Sequence, residues 1–392
     1  MKVNSKLETR SSKQIRNSNS TIRASSVFEF RFSNLFRISD FGFKILVAAF
    51  ISLNACGQVS NLKRDQEIVF FPTLACRSGT NCWDLTIHGC VYERDKRTVA
   101  LLLIRTALGL NHVSLTAAET KVFAERARLF MVDHKAGRKI VVRIGETEFT
   151  LPKTGANGDF STIIQLSDAQ VEKLRNLSAA LQAVLPVKDS RVFKGDLSFF
   201  DDAGVIVISD IDDTIKITQV LDRKATLRNT FLEPFRPVPG MADVYQRWAE
   251  KAGAQFCYVS ASPWQLYSPL ADFVRSNGFP AGVFYLKSFR WKDETLFNLF
   301  EGPEKYKPGV IDPLMKRFPN RRFVFVGDSG ERDPEIYGAL AREHPQQVAK
   351  ILIREVRDEG SGTNRFKSAF RELPPTLWKV FREPSEIADM VY

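Results

Sequence analysis

The sequence contains few of the residues that build metal–thiolate and histidine sites. Its 392 residues include five Cys and four His, and no two Cys stand in a Cys-x-x-Cys pair. Structural zinc sites are built from closely spaced Cys and His, so the sequence disfavours a zinc centre. Cys76 and Cys82 flank the short polar loop "CRSGTNC". They either pair in an oxidising compartment or stay free thiols, and the sequence leaves both open.

The sequence also lacks the patterns expected of nucleic-acid-binding and repeat proteins. It contains no array of alternating Arg and aromatic residues, no finger spacing and no internal repeat. The net charge of +11 is concentrated near the N-terminus, where residues 1–55 hold nine Lys or Arg against three acids. The mild positive surplus on the rest of the chain suits an anionic partner such as a phospholipid or a phosphate ester, and no nucleic acid is expected.

The apolar run near the N-terminus, "KILVAAFISLNACGQ", is too short to span a bilayer and resembles a signal peptide. The segment Leu53–Cys56 resembles a bacterial lipobox, in which Cys56 is lipidated. This interpretation predicts a lipid-anchored protein of the bacterial cell envelope. A competing interpretation takes the Ser- and Arg-rich stretch "RSSKQIRNSNSTIRASS" as an organelle transit peptide, and a cytoplasmic or organellar location stays open.

Composition divides the chain into five parts. The expected parts are a targeting segment (1–55), a tether (56–66), a β-rich module with helical inserts (67–200), an α/β domain (201–357) and a C-terminal tail packed on that domain (358–392). In the β-rich module, "TVALLLIRTALGLN" and "SDAQVEKLRNLSAALQAVL" are predicted to be helices. In the tail, "TLWKVF" is predicted to be a helix on the outside.

Short apolar runs alternate with amphipathic helical stretches after residue 201. This pattern predicts a Rossmann-like parallel sheet covered on both faces. Ligands of such sheets bind at the carboxyl ends of the strands, so the polar residues that follow each strand are the candidate site. Those residues are Asp210, Asp212, Asp213, Thr214, Ser260, Ser262, Lys307, Asp328, Ser329 and Asp333.

The stretch "VIVISDIDDTIKIT" crowds acidic residues at the end of one predicted strand. Crowded carboxylates are costly unless a cation compensates them, and Mg²⁺ prefers hard oxygen ligands. We expect Asp210 and Asp328 to hold Mg²⁺, with the backbone carbonyl of Asp212 as a third ligand. Lys307 and the ion together are expected to attract a phosphate dianion.

The same residues suggest phosphoryl transfer. Asp210 can attack phosphorus and form an aspartyl-phosphate. Asp212 lies two positions further along the strand, on the same side, and is suited to act as general acid and then as general base. Ser260 is expected to hydrogen-bond the phosphoryl oxygens, and Lys307 to neutralise the transferring group.

"DIDDT", Ser260, Lys307 and "GDSGERD", in that order, resemble the four motifs of the haloacid dehalogenase superfamily of phosphohydrolases. More narrowly, "VISDIDDTIKIT", "FRPVPGM", "YVSASPWQLY" and "GDSGERDPEIY" resemble the catalytic domain of the actin-patch-protein type of phosphatidate phosphatase. The resemblance spans roughly residues 204–356 and is weaker through the β-rich module.

The resemblance implies a role for each motif residue. It implies that Asp210 is the nucleophile and Asp212 the acid/base, and that Thr214, Ser260 and Lys307 bind phosphate. The metal-binding set that it implies is Asp210, Asp212, Asp328 and Asp333, with Asp333 acting through water.

Several neighbouring residues have a structural interpretation. Asp213 is expected to be a turn residue, and Glu331 and Arg332 to form an ion pair that braces their loop. Trp264 is expected either in the core or at the edge of a substrate pocket.

Little chain is available for a large cap domain between Thr214 and Gly240. A site without a lid suits a substrate that cannot be enclosed, such as a lipid headgroup. Aromatic and basic residues in or beside the predicted loop "SFRWKDETLFNLFEGPE" suggest a membrane-contact edge, although Phe284 can equally pack on the sheet. This set is Phe284, Lys287, Phe289, Arg290, Trp291, Lys292, Phe297 and Phe300.

The sequence therefore predicts an Mg²⁺-dependent phosphatase that converts phosphatidate to diacylglycerol beside a membrane surface. Two alternatives stay open: a phosphatase for a soluble or protein-borne phosphate, and a non-catalytic membrane adaptor. The complete set of acids argues against the adaptor, because a binding module has no use for a nucleophile and its proton donor.

Overall fold

The computed structural model describes residues 58–94, 98–176, 180–287, 304, 306–358 and 360–390. The predicted signal segment with Cys56 lies outside the described residues, and so does most of the predicted aromatic and basic edge. Those predictions stay predictions. None of the helices in the described ranges is both long enough and apolar enough to cross a bilayer.

The first half of the described chain, residues 58–200, is built mainly of antiparallel strands and is called the β-rich module below. Its strands are β1 Gln66–Phe70, β2 Thr73–Gly79, β3 Cys82–Arg94, β4 Val132–His134, β5 Val141–Ile144, β6 Thr147–Thr150, β7 Asp159–Ser167, β8 Leu181–Ala183, β9 Lys194–Gly195 and β10 Leu197–Phe200. Its helices are α1 Thr98–Ala107, α2 Ala117–Leu129 and α3 Asp168–Asn176.

Strand β3 organises the larger sheet of this module. It pairs with β1, β2, β4 and β7, all antiparallel, while β10 joins β2 in parallel. Alternate residues of β3 are buried, as expected for a strand with one face in a core. A second, four-stranded sheet has the order β6-β5-β8-β9.

Two helix predictions in this module need correction. The stretch predicted to continue α3 instead forms strand β8, because its apolar residues Leu181 and Ala183 alternate and bury against β5. Helix α2 was not predicted. A capping box between Thr116 and Glu119 starts it, and that signal is visible in the sequence as Thr-x-x-Glu.

The second half alternates strands and helices. Its strands are β11 Val205–Ser209, β12 Gln255–Pro263, β13 Gly282–Lys287, β14 Arg322–Asp328, β15 Val348–Arg354 and β16 Trp378–Phe381. Its helices are α4 Arg223–Phe231, α5 Met241–Ala252, α6 Tyr267–Ser276, α7 Tyr306–Arg317, α8 Asp333–Glu343 and α9 Asn364–Ala369, with 3-10 turns at Trp264–Leu266, Pro375–Leu377 and Pro384–Ile387.

These six strands form one parallel sheet in the order β13-β12-β11-β14-β15-β16. The predicted α/β class with a parallel sheet is confirmed. Strand β11 lies at the centre and is buried along its whole length, with Val205 and Val207 in one core and Ile206 and Ile208 in the other. The sheet is therefore covered on both faces.

The predicted outer helix "TLWKVF" is wrong. Residues 375–377 form a 3-10 turn, and Trp378–Phe381 pair with β15 as the edge strand β16. The two Pro before this segment disfavour a helix, and its bulky apolar side chains pack against the sheet, where Trp378 stacks on Phe370 at 4.6 Å between ring centroids.

The β-rich module packs against the parallel sheet through aromatic side chains. The ring of Phe71 lies 4.2 Å from that of Trp264 and 5.6 Å from that of Tyr267, measured between centroids, and His88 meets the edge of Trp264. Trp264 is thus part of the packing between the two halves, which agrees with its interpretation as a core residue. Phe284 is also a core residue, with its ring centroid 5.1 Å from that of Tyr258 and 5.5 Å from that of Tyr267.

Cys76 and Cys82 are free thiols in the structure. In the β2–β3 hairpin, Cys76 is opposite Asp84, whereas Cys82 is opposite Gly79, so the two Cys are not cross-strand partners. The sulfur of Cys76 lies instead 2.7 Å from Nε of Arg317 on α7.

We predict that Phe71→Ala lowers the free energy of unfolding by about 3 kcal/mol, because it empties a buried aromatic site between the two halves. Urea unfolding followed by circular dichroism measures this change. Val187→Ala, at a fully exposed position, is the control and should stay within about 0.5 kcal/mol of the parent. An unchanged urea midpoint for Phe71→Ala would show that this contact does not hold the halves together.

Candidate active site

The candidate site lies where the strand order of the parallel sheet reverses. Strands β12 and β13 extend to one side of β11, and β14 and β15 extend to the other. Asp210 follows β11 directly and Asp328 is the last residue of β14. This position, between the carboxyl ends of adjacent strands, is the usual ligand crevice of open parallel sheets.

Three buried aspartates converge at this point. Asp210, Asp328 and Asp333 each offer a carboxylate oxygen, and these oxygens lie within 4.8 Å of one another. Asp333 begins α8 and accepts a hydrogen bond from the backbone N–H of Asp328. Gly327 makes this approach possible, because a Cβ at that position would lie 2.2 Å from Oδ2 of Asp333.

Lys307, on the first turn of α7, brings a fully buried ammonium into the aspartate cluster. Its Nζ lies 2.8 Å from Oδ1 of Asp210 and 3.3 Å from Oε2 of Glu331, and it also contacts Asp333. Burial by itself lowers the pKa of Lys307, but the charges of Asp210, Asp333 and Glu331 outweigh it and raise that pKa well above its usual value. Lys307 is therefore a permanent cation of the site.

One ammonium does not balance four carboxyl groups. If Asp210, Asp328, Asp333 and Glu331 were all ionised beside Lys307, the cluster would carry three net negative charges. Burial, reinforced by mutual repulsion, raises the pKa values of Asp210 and Asp328 well above the usual range and that of Glu331 to about 7. The cluster therefore favours either bound protons or a bound cation.

The carboxylate oxygens of the cluster fit a divalent cation. Oδ1 of Asp328 accepts the backbone N–H groups of Gly330 and Glu331, while its buried Oδ2 accepts no hydrogen bond from any described residue. Oδ2 of Asp210 accepts the hydroxyl of Thr214 at 3.0 Å; its Oδ1 is near Lys307 but receives no directed hydrogen bond from the described residues. Such buried oxygens are the hard ligands that Mg²⁺ prefers.

Asp212 occupies a separate subsite beside the cluster. Its Oδ1 lies 2.7 Å from both Nζ of Lys216 and the hydroxyl of Thr218. Its Oδ2 accepts hydrogen bonds from the hydroxyl groups of Ser260 and Ser262, at 3.1 and 2.9 Å. Burial tends to raise the pKa of Asp212, but Lys216 and the hydroxyl donors together lower it to about 2.

Asp213 shapes the loop between these two subsites. Its backbone has a φ of 54°, and its carboxylate accepts the N–H groups of Thr218, Gln219 and Val220. This agrees with the expected turn role. The tight loop turns Asp210 and Asp212 toward the carboxyl edge of the sheet.

The structure brings together Asp210, Lys307, Asp328 and Asp333 in one cluster, and Asp212 with Ser260 in the adjacent one. Thr214 contacts Asp210, so in this state it orients that carboxylate.

Sequence reasoning did not predict the contacts that Glu331, Lys216 and Ser262 make at the site, although Ser262 was among the candidate residues. Glu331 faces Lys307, and the expected pair with Arg332 is not found, because Arg332 contacts Glu304 instead. Lys216 and Ser262 hold Asp212. A usable signal for Lys216 was its position in an otherwise apolar stretch, where a lone Lys needs a buried acid.

We predict that ionisation of Glu331 destabilises the folded protein when divalent cations are removed. The carboxyl has an ordinary pKa of 4.5 and a folded-state pKa of about 7, so the folded state keeps its proton longer than the unfolded chain. The stability contributed by this proton is complete below pH 4.5 and is lost as the pH rises to about 7. Between pH 5 and 7, in a chelator, the Tm of the parent should fall by about 3 °C relative to Glu331→Gln.

Thermal unfolding across this pH range measures the difference. Exposed Glu250 provides the matched control, Glu250→Gln, whose Tm should follow that of the parent at every pH. A parent Tm that rises relative to Glu331→Gln over the same interval would contradict the assignment of a raised pKa to Glu331.

The residues of this site lie in a segment whose sequence is similar to known proteins. Residues 205–355 match the family model of the catalytic domain of phosphatidate phosphatase APP1. Phosphatidate phosphatase APP1 of Saccharomyces cerevisiae is 36% identical over 154 residues, which are 38% of this chain and 26% of that protein. An uncharacterized protein of Schizosaccharomyces pombe is 27% identical over 241 residues, 60% of this chain and 38% of that protein.

The chain thus spans well under half the length of these two curated relatives. The matched family segment begins at β11 and ends just after β15, and it contains all the aspartates of the two subsites. The narrower resemblance that the motifs indicate, to the actin-patch-protein type of phosphatidate phosphatase, is confirmed over this segment. Residues 205–355 are therefore similar to the catalytic domain of the APP1 type of phosphatidate phosphatase.

Proposed function

We propose that this chain is an Mg²⁺-dependent phosphoric monoester hydrolase of the haloacid dehalogenase type that converts phosphatidate to diacylglycerol and phosphate. The observation that carries the proposal is the buried cluster of Asp210, Asp328 and Asp333 around Lys307, at the reversal point of the parallel sheet. The name of the yeast relative, a phosphatidate phosphatase, supports the choice of substrate.

Asp210, Asp328 and Asp333 are the residues that would hold the Mg²⁺ ion. When bound, the ion offsets the carboxylate charge and polarises a phosphoryl oxygen. Lys307 supplies a fixed positive charge beside Asp210 and is expected to stabilise the phosphoryl oxygens as charge moves onto them.

Asp210 is the nucleophile of the proposed first step. Its carboxylate attacks phosphorus, the bond from phosphorus to the glycerol oxygen breaks, and the phosphoryl group is then held on Asp210 as an acyl phosphate. Thr214 fixes the rotation of that carboxylate through the hydrogen bond to Oδ2, which limits the orientations available for attack.

Asp212 acts as the general acid in the first step and as the general base in the second. It donates a proton to the departing glycerol oxygen, and later takes a proton from the water that attacks the acyl phosphate and releases inorganic phosphate. With its pKa lowered to about 2, Asp212 is ionised in the state described and suits the second role. An approaching phosphate dianion disfavours this ionised form, and so favours the protonation that the first role needs.

The short connection between β11 and α5 supports a lipid headgroup as the substrate. Between β11 and α5 the chain holds the single short helix α4, so the described residues of this connection provide no separate cap. A substrate whose acyl chains stay in a bilayer can present its phosphate to such a site.

We predict that Asp210→Asn lowers phosphate release from phosphatidate in detergent micelles by about a thousandfold or more, because the amide cannot act as nucleophile. The measurement is phosphate release, with circular dichroism to verify the fold. Asp243→Asn, on the exposed face of α5, is the control and should retain full activity. Turnover of Asp210→Asn at the parent rate would refute the covalent mechanism.

A second prediction concerns the metal and the substrate class. Phosphate release from phosphatidate should disappear in a chelator and return with Mg²⁺, and it should exceed release from sugar phosphates and phosphopeptides at equal concentration. Calorimetry in buffers of different ionisation enthalpy should show that Mg²⁺ binding at pH 6 releases protons, since the raised carboxyl pKa values leave protons to displace. A preference for the water-soluble esters would overturn the lipid assignment, and metal-independent turnover would overturn the metal assignment.

A further inference from the structure

Helix α1 exposes two adjacent leucines to solvent. Leu102 and Leu103 are 58% and 61% exposed, and Val113, in the segment between α1 and α2, is 37% exposed. The opposite side of the helix is packed: Ile104 is buried in the same core as Phe123 of α2, as is Leu108 just after the helix, and Leu101 and Ala107 are partly buried against that core. The exposed leucines therefore belong to a helix whose other side is packed in the core.

The α1–α2 pair adjoins the carboxyl edge of the catalytic sheet. Helix α2 contacts α4 and the 3-10 turn Trp264–Leu266, which follow β11 and β12 on the side of the aspartates. Arg126 of α2 donates a 2.5 Å hydrogen bond to the carbonyl of Thr230, and Glu119 forms an ion pair with Arg228. These contacts hold α2, on which α1 packs, beside the carboxyl edge of the parallel sheet.

A third apolar residue is exposed on the loop that leads from the catalytic motif. Leu221 is 50% exposed and directly precedes Asp222, the N-cap of α4. Arg223 and Lys224 follow on the first turn of α4 and are exposed. Leu221 is thus an exposed apolar residue close in sequence to two exposed basic residues of α4, the helix that α2 contacts.

The solvent-accessible charge of the α1–α2 segment is positive: Arg105, Lys121 and Arg128 outnumber Glu125, whereas Arg126 and Glu119 are buried. Helix α1 carries Arg105 and no acid, and residues 98–130 contain four Lys or Arg against two Glu. Arg105 donates hydrogen bonds to the carbonyls of Leu110 and Val113, which holds the segment after α1 in place. Exposed leucines on a segment of net positive charge are the pattern of a surface that inserts into an anionic lipid interface.

We propose that the exposed face of α1, with Leu102 and Leu103 at its centre, docks this chain on an anionic membrane surface. The proposal rests on the proposed function, because docking there holds the carboxyl edge of the sheet beside the bilayer that contains phosphatidate. It assigns a membrane contact to the β-rich module, on residues separate from the predicted lipid anchor and from the predicted aromatic and basic edge.

The test compares the full chain with Leu102→Gln/Leu103→Gln, with Cys56→Ser in every variant so that lipidation cannot contribute. Cosedimentation uses vesicles of phosphatidylcholine with phosphatidylserine, an anionic lipid with no phosphomonoester. The double variant should bind these vesicles about tenfold less than the parent, and both should bind phosphatidylcholine vesicles weakly. Val187→Gln/Val192→Gln, at exposed apolar positions away from α1, is the matched control and should bind like the parent.

Activity provides a second measurement. The double variant should lose about tenfold in phosphate release from phosphatidate in vesicles and keep the parent rate on p-nitrophenyl phosphate, since its active site is unaltered. Equal vesicle binding by parent and double variant would overturn the proposal. So would a parent that does not bind anionic vesicles, or that self-associates through these leucines while its vesicle binding is unaffected by their replacement.

The two proposals fail in different ways. If phosphatidate in detergent micelles is not hydrolysed, the proposed function fails, while the phosphatidylserine vesicles still report docking. If micellar phosphatidate is hydrolysed and the leucine replacements leave vesicle binding and vesicle activity unchanged, the docking proposal alone fails.

Discussion

The architecture of this chain depends on negative charge that the folded state concentrates and only partly neutralises. Asp210, Asp328 and Asp333 share one buried position with a single ammonium, that of Lys307. Ionised carboxylates in such a place are unfavourable unless protons or a cation accompany them. The packing of the central strand β11 between two apolar cores offsets the free-energy cost of bringing these carboxylates together. Bound protons or a bound cation would relieve the electrostatic cost that folding imposes at this site.

Separate elements hold each part of this cluster. Asp210 directly follows β11, which is buried along its whole length, and Asp328 is the last residue of the neighbouring strand β14. Asp333 arrives at the start of α8, and the missing side chain of Gly327 lets it approach the backbone closely. Asp212 shares the loop of Asp210 but is held by its own cation, Lys216. The protein thereby keeps two neighbouring aspartates in opposite electrostatic states, one with its pKa raised and one with its pKa lowered.

The sequence was most informative where apolar runs end in polar residues. Strand ends meet at one edge of a parallel sheet, so the grouping of Asp210 with Asp328 and Lys307 could be predicted from order alone. The partners of Asp212 could not, because hydrogen bonds from Ser262 and Lys216 depend on how a loop turns. Local propensity also misjudged "TLWKVF" and the end of α3, where pairing with a neighbouring strand decides the conformation. The exposure of Leu102 and Leu103 could not be predicted for a similar reason, because the run "ALLLI" does not indicate which side of the helix packs against the rest of the protein.

The edge strand β16 has a consequence for how the molecule can be divided. The family segment ends at residue 355, whereas Trp378–Phe381 complete the sheet beyond β15. A fragment cut at the limits of the family match leaves the backbone groups of β15 open to other chains, and it removes Phe71 from its place against Trp264. The segment matched by the family model is therefore smaller than the packed unit, because flanking segments cover one edge of its sheet and supply part of its aromatic packing.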